Sequence, residues 1–196
     1  MTFTFNDKND KHEYRLNDRL MPSVTTVIGT ILNHDYSDLD PYYKDFGIAV
    51  HKAVELDILG TLEASSITAD VLVCLKSYRE FAGKCYLENI ISETRAYNEK
   101  LWVAGTMDII ANLHDGKYII DIKTKGKKNS HKNGWHKIQT AGYSLLYDKE
   151  QTNPPKRGAL YLFREGGYEF VPHPDPRDLS MFVEMTKVYH ALGRYK

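Results

Sequence analysis

The stretch Gly105–Lys123, which reads GTMDIIANLHDGKYIIDIK, decides how this chain folds. It has two apolar runs on either side of His114–Gly116, where an Asp-Gly pair favours a tight hairpin turn. Side chains two positions apart on a strand point to the same face, so Asp121 and Lys123 share one side of the second strand. If Asp108 on the first strand faces the same space, that space holds two carboxylates and an ammonium group.

Asp108 and Asp121 are candidate metal ligands. Both lie between apolar neighbours, where a bare carboxylate is costly unless it is paired or bound to a cation. Carboxylate oxygens bind hard divalent cations such as Mg²⁺, and a lysine beside them can orient or deprotonate a water. These groups are the minimum equipment for metal-assisted phosphodiester hydrolysis. The alternative is that the acids are hydrated strand ends and that Lys123 belongs to the basic segment after it.

Three more motifs accompany this stretch. Gly47–His51 (GIAVH) and Ser92–Thr94 (SET) precede it, on a predicted helix and a predicted strand, and Gln139–Tyr143 (QTAGY) follows on a predicted helix. A helical His, then Glu, Gly-Thr-x-Asp, Asp-x-Lys and Gln-x-x-x-Tyr form an order that resembles the RecB-type branch of the PD-(D/E)xK nuclease superfamily. Each motif alone is weak, and the five in order are the basis of the resemblance.

The resemblance extends beyond the central motifs. Pro22–Val27 and His51–Glu55 are similar to exonucleases of the mitochondrial genome maintenance type and to their phage and bacterial relatives. It covers roughly residues 12–165. One departure is that Met107, rather than proline, precedes the first acid. That change puts the strand geometry in question more than the chemistry.

The resemblance implies a fold, an activity and a set of site residues. The fold is α/β, a restriction-endonuclease-like PD-(D/E)xK core with a mixed central sheet flanked by helices. The activity is that of a Mg²⁺- or Mn²⁺-dependent DNA exonuclease, with one or two ions per site, that acts on single strands or single-stranded ends and leaves 5′-phosphates. The implied metal ligands are His51, Asp108, Asp121 and the backbone carbonyl of Ile122. The implied catalytic residues are Lys123, Asp108, Asp121, Glu93, Gln139 and Tyr143.

The upstream site residues have alternative interpretations. His51 lies on an apolar helix stripe, where a histidine is usually a core residue, and the motif order makes it a metal ligand instead. Glu55 is one turn further on and is either a partner of His51 or a surface acid. Glu93 can bind a second metal directly or through water, or it can face Arg95 at the surface. Glu99 is the alternative acid for this role.

Gln139 and Tyr143 are one helical turn apart and therefore share a face. Gln139 can donate to the phosphate on the scissile side or hold Lys123. Tyr143 can pack against a sugar or donate through its hydroxyl. Ordinary core packing is the alternative for Tyr143, because the chain contains 14 tyrosines.

A basic segment follows the catalytic lysine. Lys+Arg and Asp+Glu balance at 26 each, but no acid occurs between Ile122 and Tyr147. A local basic cluster can attract a polyanion at zero net charge, and an aromatic side chain can stack on a base. The alternative is a solvated loop. The candidate nucleic-acid contacts are Lys125, Lys127, Lys128, Lys132, Trp135 and Lys137.

Composition indicates a soluble globular chain in a reducing compartment. With 196 residues and 42% hydrophobic residues, it predicts a single nuclease domain. Its regions are an N-terminal hairpin and helices (1–88), a catalytic core (89–165) and a C-terminal strand and helix (166–196). No signal peptide or membrane span is evident, so we expect a cytoplasmic protein of a bacterium or a phage-infected cell. Two cysteines cannot hold a four-cysteine iron–sulfur cluster, which excludes that nuclease branch.

DNA, with single strands favoured, is the expected partner, and no membrane is expected. The resemblance implies a role in phage recombination, DNA repair or genome maintenance, with a recombination or single-strand-binding protein as a further partner. Three alternatives remain open. They are a structure-specific endonuclease that cuts flaps or junctions with the same site, a non-catalytic DNA-binding protein on this fold, and a hydrolase of small phosphoesters.

Periodicity and turn signals also predict the order of elements. The predicted strands are 3–5, 13–16, Ile90–Tyr97, Leu101–Asn112, Lys117–Lys123, Lys156–Arg164 and Tyr168–Pro172. The predicted helices begin at Ser23, Pro41, Thr68, Trp135 and Pro176, and end near Leu32, Leu59, Tyr86, Asp148 and Leu192. A basic loop is predicted at 126–134.

Overall fold

The computed structural model describes residues 2–8, 11–33, 41–128 and 134–193. The strands are β1 (Phe3–Lys8), β2 (Lys11–Leu16), β3 (Arg19–Met21), β4 (Glu88–Asn98), β5 (Val103–Leu113), β6 (Gly116–Lys125), β7 (Lys156–Phe163) and β8 (Tyr168–Pro172). The helices are α1 (Val24–Ile31), α2 (Pro41–Ile58), α3 (Ala69–Lys84), α4 (His136–Tyr147) and α5 (Arg177–Ala191).

The larger sheet is mixed and has the order β4-β5-β6-β7-β8. Its neighbouring strands are antiparallel except β6 and β7, which are parallel. A parallel pair needs a crossover connection, and α4 lies in the segment that joins these two strands. The expected mixed α/β sheet with flanking helices is therefore confirmed in this coarse form. The strands β1, β2 and β3 form a separate antiparallel sheet.

Helices cover both faces of the mixed sheet. One core contains apolar side chains of α2 and α3 with Ile109, Ile120 and Ile122 of the sheet. The other contains side chains of α1, α4 and α5 with Met107 and Ile119. Met107 and Ile109 are two positions apart on β5, yet they belong to opposite cores. The alternation of faces therefore changes between them, at the position of Asp108.

The predicted elements occupy their expected places, with bounds shifted by a few residues. Ser23 caps α1, since its hydroxyl accepts a hydrogen bond from the Thr26 amide at 2.9 Å. The short strand β3 was missed because three residues are too few for an alternating pattern. In the turn before β3, Asn17 and Asp18 both have positive φ, as in the favoured two-residue hairpin turns. The Asn-Asp pair is therefore the feature of the sequence that indicated this hairpin.

The two cysteines are both free thiols, and Cys74 is buried whereas Cys85 is partly buried. The segment 34–40, between α1 and α2, lies outside the described residues. The basic loop falls outside them at 129–133. Among the helices in the described part of the chain, none combines the length and apolarity that a bilayer crossing requires.

Candidate metal centre

Glu93 and Asp108 lie opposite each other on β4 and β5. The paired positions on either side are Ser92 with Ile109 and Thr94 with Met107. Directly opposed residues of an antiparallel pair have Cβ atoms about 4.5–5.5 Å apart. The backbone of Glu93 has a φ of 50°, which is uncommon for a residue other than glycine. Such an outlier inside a strand is a feature that functional sites often contain.

Asp108 also stands at the end of the ladder between β5 and β6. The ladder includes the pair Ile109 with Ile120, and the next pair along it would be Asp108 with Asp121. Instead, the Ile122 backbone N–H donates to Asp108 Oδ2 at 2.7 Å. The carboxylate replaces a backbone carbonyl as acceptor at this point. The three acids Glu93, Asp108 and Asp121 therefore occupy one row across three adjacent strands.

His51 of α2 completes a group of three residues that could bind a metal ion. Its Nδ1 lies 3.4 Å from Asp108 Oδ1. One ligand atom each from His51, Glu93 and Asp108 lie within 4.8 Å of one another. Bonds of about 2.0–2.6 Å from a divalent cation place its ligand atoms at most about 4–5 Å apart, so the group fits such an ion.

The electrostatics of the acids favour a cation at this position. Burial, together with the charge of Asp108, raises the pKa of Glu93 to about 7. Burial raises the pKa of Asp121 to about 6, although Lys123 opposes the shift. Burial also raises the pKa of Asp108, but His51 and Lys123 lower it by more, so the net shift is downward. Acids that are held partly protonated beside one another gain most from a bound divalent cation.

The interaction with Asp108 that lowers the pKa of the acid also raises the pKa of His51. Burial lowers its pKa, but the charge of Asp108 and a hydrogen bond to it raise the pKa by more in sum, so the net shift is upward. The side chain is 30% exposed, so one edge of the site is open to solvent. The predicted stripe is only partly correct, since Val54 is buried whereas Ile48 is 52% exposed.

Asp121 and Lys123 lie beside this group on β6. Lys123 Nζ is 3.0 Å from Asp121 Oδ2. The ligand set expected from the sequence was His51, Asp108, Asp121 and the Ile122 carbonyl. The cluster in the structure shares His51 and Asp108 with that set, and its third member is Glu93. In the structure the Asp121 carboxylate, which is 1% exposed, contacts Lys123 and Gln139.

Gln139 holds Asp121, which differs from the two roles expected of it. Its Nε2 donates to Asp121 Oδ1 at 3.0 Å and to the Tyr143 hydroxyl at 2.9 Å. Both hydrogens of the amide are therefore used inside the protein. Tyr143 is buried among the core side chains of α1, α4 and α5. The Tyr143 ring thus packs in this core while its hydroxyl accepts a hydrogen bond from Gln139, whose amide lies behind the acids.

The packing of Tyr143 and its helix α4 against the sheet also explains why residue 105 is glycine. A Cβ at this position would lie 3.1 Å from Tyr143 Cε1 and 3.1 Å from Leu146 Cδ1. The glycine of the Gly-Thr-x-Asp motif therefore lets α4 approach β5 closely. Thr106, the next residue, shares a 2.8 Å hydrogen bond with the Tyr14 hydroxyl. This contact joins the small sheet to the strand of Asp108, and no sequence signal predicted it.

Trp135 lies beside the candidate catalytic lysine. Lys123 Nζ is 5.7 Å from the centre of the Trp135 ring, within the range of a cation–π interaction. The indole is partly buried and packs against the core of α1, α4 and α5. The structure therefore places it next to Lys123 rather than in an open stacking position.

The lysines of the predicted basic cluster that lie within the described residues differ in their exposure and contacts. Lys127 and Lys128 are exposed, while Lys125 is partly buried, and burial lowers its pKa. Lys137 Nζ lies 3.6 Å from Asp178 Oδ1 of α5. Lys132 lies outside the described residues.

The alternative acid Glu99 is placed away from the cluster. It pairs with Lys149 at 2.5 Å at an exposed position. Arg95, expected as a surface partner of Glu93, lies over the Phe5 ring at 3.9 Å from its centre. Glu93 is thus the acid of β4 that joins His51 and Asp108.

Comparisons with known proteins show a fold and no family. The chain matches no protein-family model, and no curated protein matches it. Among solved structures, a protein from Eubacterium rectale named "Putative exonuclease" has a TM-score of 0.53 at 12% identity, over 90% of this chain and 75% of that chain. The crystal structure of SSO0001 has a TM-score of 0.43 at 19% identity, over 87% of this chain and 74% of that one. The first likeness shows a shared fold.

Proposed function

We propose that this protein is a divalent-metal-dependent DNA exonuclease with a PD-(D/E)xK core. The observation that carries the proposal is the convergence of His51, Glu93 and Asp108 within 4.8 Å, beside the Asp121–Lys123 pair. The name of the Eubacterium rectale protein that shares the fold agrees with this activity. The order of motifs that led to the nuclease prediction is consistent with it.

In the proposed site, metal binding and water activation are carried out by different side chains. His51, Glu93 and Asp108 would hold the ion, and Asp121 and the Ile122 carbonyl would complete its shell. A bound Mg²⁺ or Mn²⁺ supplies Lewis acidity toward the phosphoryl oxygens. Lys123 would orient the attacking water or offset charge on the phosphorane-like transition state. Asp121 would fix the ammonium of Lys123.

The reaction is hydrolysis of a phosphodiester. The attacking water would give up a proton as its oxygen bonds to phosphorus in line with the bond to the 3′-oxygen, and that bond would break. The leaving 3′-oxygen takes up a proton, and the product carries a 5′-phosphate. Lys125, Lys127 and Lys128 follow Lys123 directly, so the strand would meet positive charge as it leaves the site. We propose single-stranded DNA or single-stranded ends as the substrate.

The test is a time course on single-stranded DNA with Mg²⁺ or Mn²⁺, labelled at the 5′ end in one reaction and at the 3′ end in another. The wild type should shorten the strands, and Lys123→Ala should not. Lys76→Ala, at an exposed position of α3, serves as the matched control and should behave as wild type. The two label patterns give the polarity.

Other outcomes discriminate the alternatives. Cleavage of circular single strands would identify an endonuclease. Metal-dependent retention of DNA without cleavage would identify a binding protein. Equal activity of wild type and Lys123→Ala would show that the site has been assigned wrongly.

A further inference from the structure

At several described glycines a side chain is excluded by close packing, because a Cβ atom there would overlap a neighbouring residue, but this is not so at Gly47. A Cβ at Gly142 would lie 2.8 Å from Val24 Cγ1, and one at Gly158 would lie 2.5 Å from Phe170 Cζ. A Cβ at Gly47 would meet Thr124 Oγ1 alone, at 3.5 Å. That distance is ordinary van der Waals contact.

Gly47 also has no conformational reason to be glycine. It lies inside α2, and its φ is not among the positive values. Glycine inside a helix costs about 0.5–1 kcal/mol relative to alanine. Alanine would therefore fit and would stabilise the helix, so the fold alone favours alanine at this position.

The position of Gly47 relates it to the metal centre. It precedes His51 by four residues, which places it on the same helix face, about 6 Å along the axis. The missing Cβ points toward Thr124, which follows Lys123 on β6. Gly47 is half-buried. It thus lies at the side of the site where α2 faces the end of β6.

We propose that the backbone of α2 at Gly47 forms one wall of a subsite for the nucleotide next to the scissile phosphate. The inference rests on the proposed nuclease function and names a residue that positions the DNA strand. Glycine permits the close approach of a helix backbone to a ligand, because it has no side chain. A methyl group there would lie beside Thr124 at the end of β6, and no side-chain atom of His51 or Lys123 would be within 4 Å of it.

The test compares Gly47→Ala with Gly83→Ala. Gly83 is a helical glycine of α3 with nothing within 4 Å of its missing Cβ, so it is a matched control. Both variants should keep or raise the melting temperature.

The activity ratio is measured as kcat/KM on a single-stranded oligonucleotide divided by kcat/KM on bis(p-nitrophenyl) phosphate, a small diester that reaches only the metal centre. Gly47→Ala should lower this ratio about tenfold, which corresponds to about 1.4 kcal/mol. Gly83→Ala should leave it unchanged.

The named outcomes separate this inference from the proposed function. An active wild type with an unchanged ratio in Gly47→Ala overturns the subsite alone. An equal loss on both substrates also overturns it, because Gly47 would then act through the metal centre. A lower melting temperature of Gly47→Ala that Gly47→Ser reproduces shows a packing role instead. A wild type that hydrolyses neither substrate nor binds the oligonucleotide overturns both proposals.

Discussion

Asp108 Oδ2 accepts a hydrogen bond from the Ile122 backbone N–H at 2.7 Å. This bond joins the two strands of the central hairpin at the place where their regular ladder ends. Because the carboxylate is held by the neighbouring strand, its second oxygen remains directed to His51, whose Nδ1 is 3.4 Å from Asp108 Oδ1. The geometry of the candidate metal centre therefore depends on a side chain that also takes part in strand pairing.

Glu93 should be required for metal binding. Mn²⁺ should raise the melting temperature of the wild type, because a ligand that binds only the folded state stabilises it. In Glu93→Gln, loss of one ligand charge should weaken Mn²⁺ affinity at least about tenfold. Glu99→Gln is the matched control, since Glu99 pairs with Lys149 at the surface. Differential scanning fluorimetry over a Mn²⁺ series measures both. An equal Mn²⁺ response of Glu93→Gln and wild type would remove Glu93 from the centre.

Gln139 should matter for stability as well as activity. Gln139→Leu removes the hydrogen bonds to buried Asp121 and Tyr143, which should cost about 1–3 kcal/mol of the free energy of unfolding. Activity should fall about 10–100-fold because Asp121 loses its orienting partner. Urea denaturation and the labelled-DNA assay measure the two effects. Unchanged stability would mean that the amide contributes nothing to holding Asp121.

Trp135 should act through Lys123 rather than through the DNA bases. Trp135→Phe keeps an aromatic ring near the ammonium, so it should retain most of kcat, whereas Trp135→Ala should lower kcat about tenfold with the loss of a cation–π contact worth about 0.5–2 kcal/mol. Steady-state kinetics on an oligonucleotide distinguishes the roles. A raised KM with unchanged kcat in both variants would instead indicate base stacking.

His173 should make the protein less stable in mild acid. Burial, with the charges of Arg157 and Lys137, lowers its pKa from 6.5 to about 4. The unfolded chain binds more protons between these values, so this contribution is present above pH 6.5 and is lost as the pH falls toward 4. Glu93 and Asp121, whose pKa values are raised, contribute with the opposite sign.

The difference in free energy of unfolding between wild type and His173→Gln gives the contribution of His173 to the pH dependence of stability. The free energy of unfolding should fall less steeply in His173→Gln than in wild type between pH 6.5 and 4. Urea titrations at several pH values give these curves. Parallel curves for the two proteins would show that His173 does not titrate differently on unfolding.

The sequence by itself determined the central hairpin and the acids on it. The two-residue turn His114–Asp115, closed by Gly116 with a φ of 136°, sets the register of β5 and β6. That register brings Asp108 and Asp121 to neighbouring positions just beyond the last pair of the ladder, Ile109 with Ile120. The caps and breaks at Ser23, Pro41 and Gly60 likewise mark helix ends. These features depend on residues close together in the chain, which is why patterns and turn signals predicted them.

Only the tertiary structure decided which residues meet at the site. His51 reaches Asp108 because α2 packs across the sheet, and Glu93 reaches it because β4 pairs with β5 in one particular register. Gln139 contacts Asp121 because the β6–β7 crossover brings α4 against the same strand. The choice of Glu93 over Glu99 and the position of Trp135 beside Lys123 depend on long-range packing. Local sequence does not specify such contacts, since the free energy that stabilises them comes from burial between segments far apart in the chain.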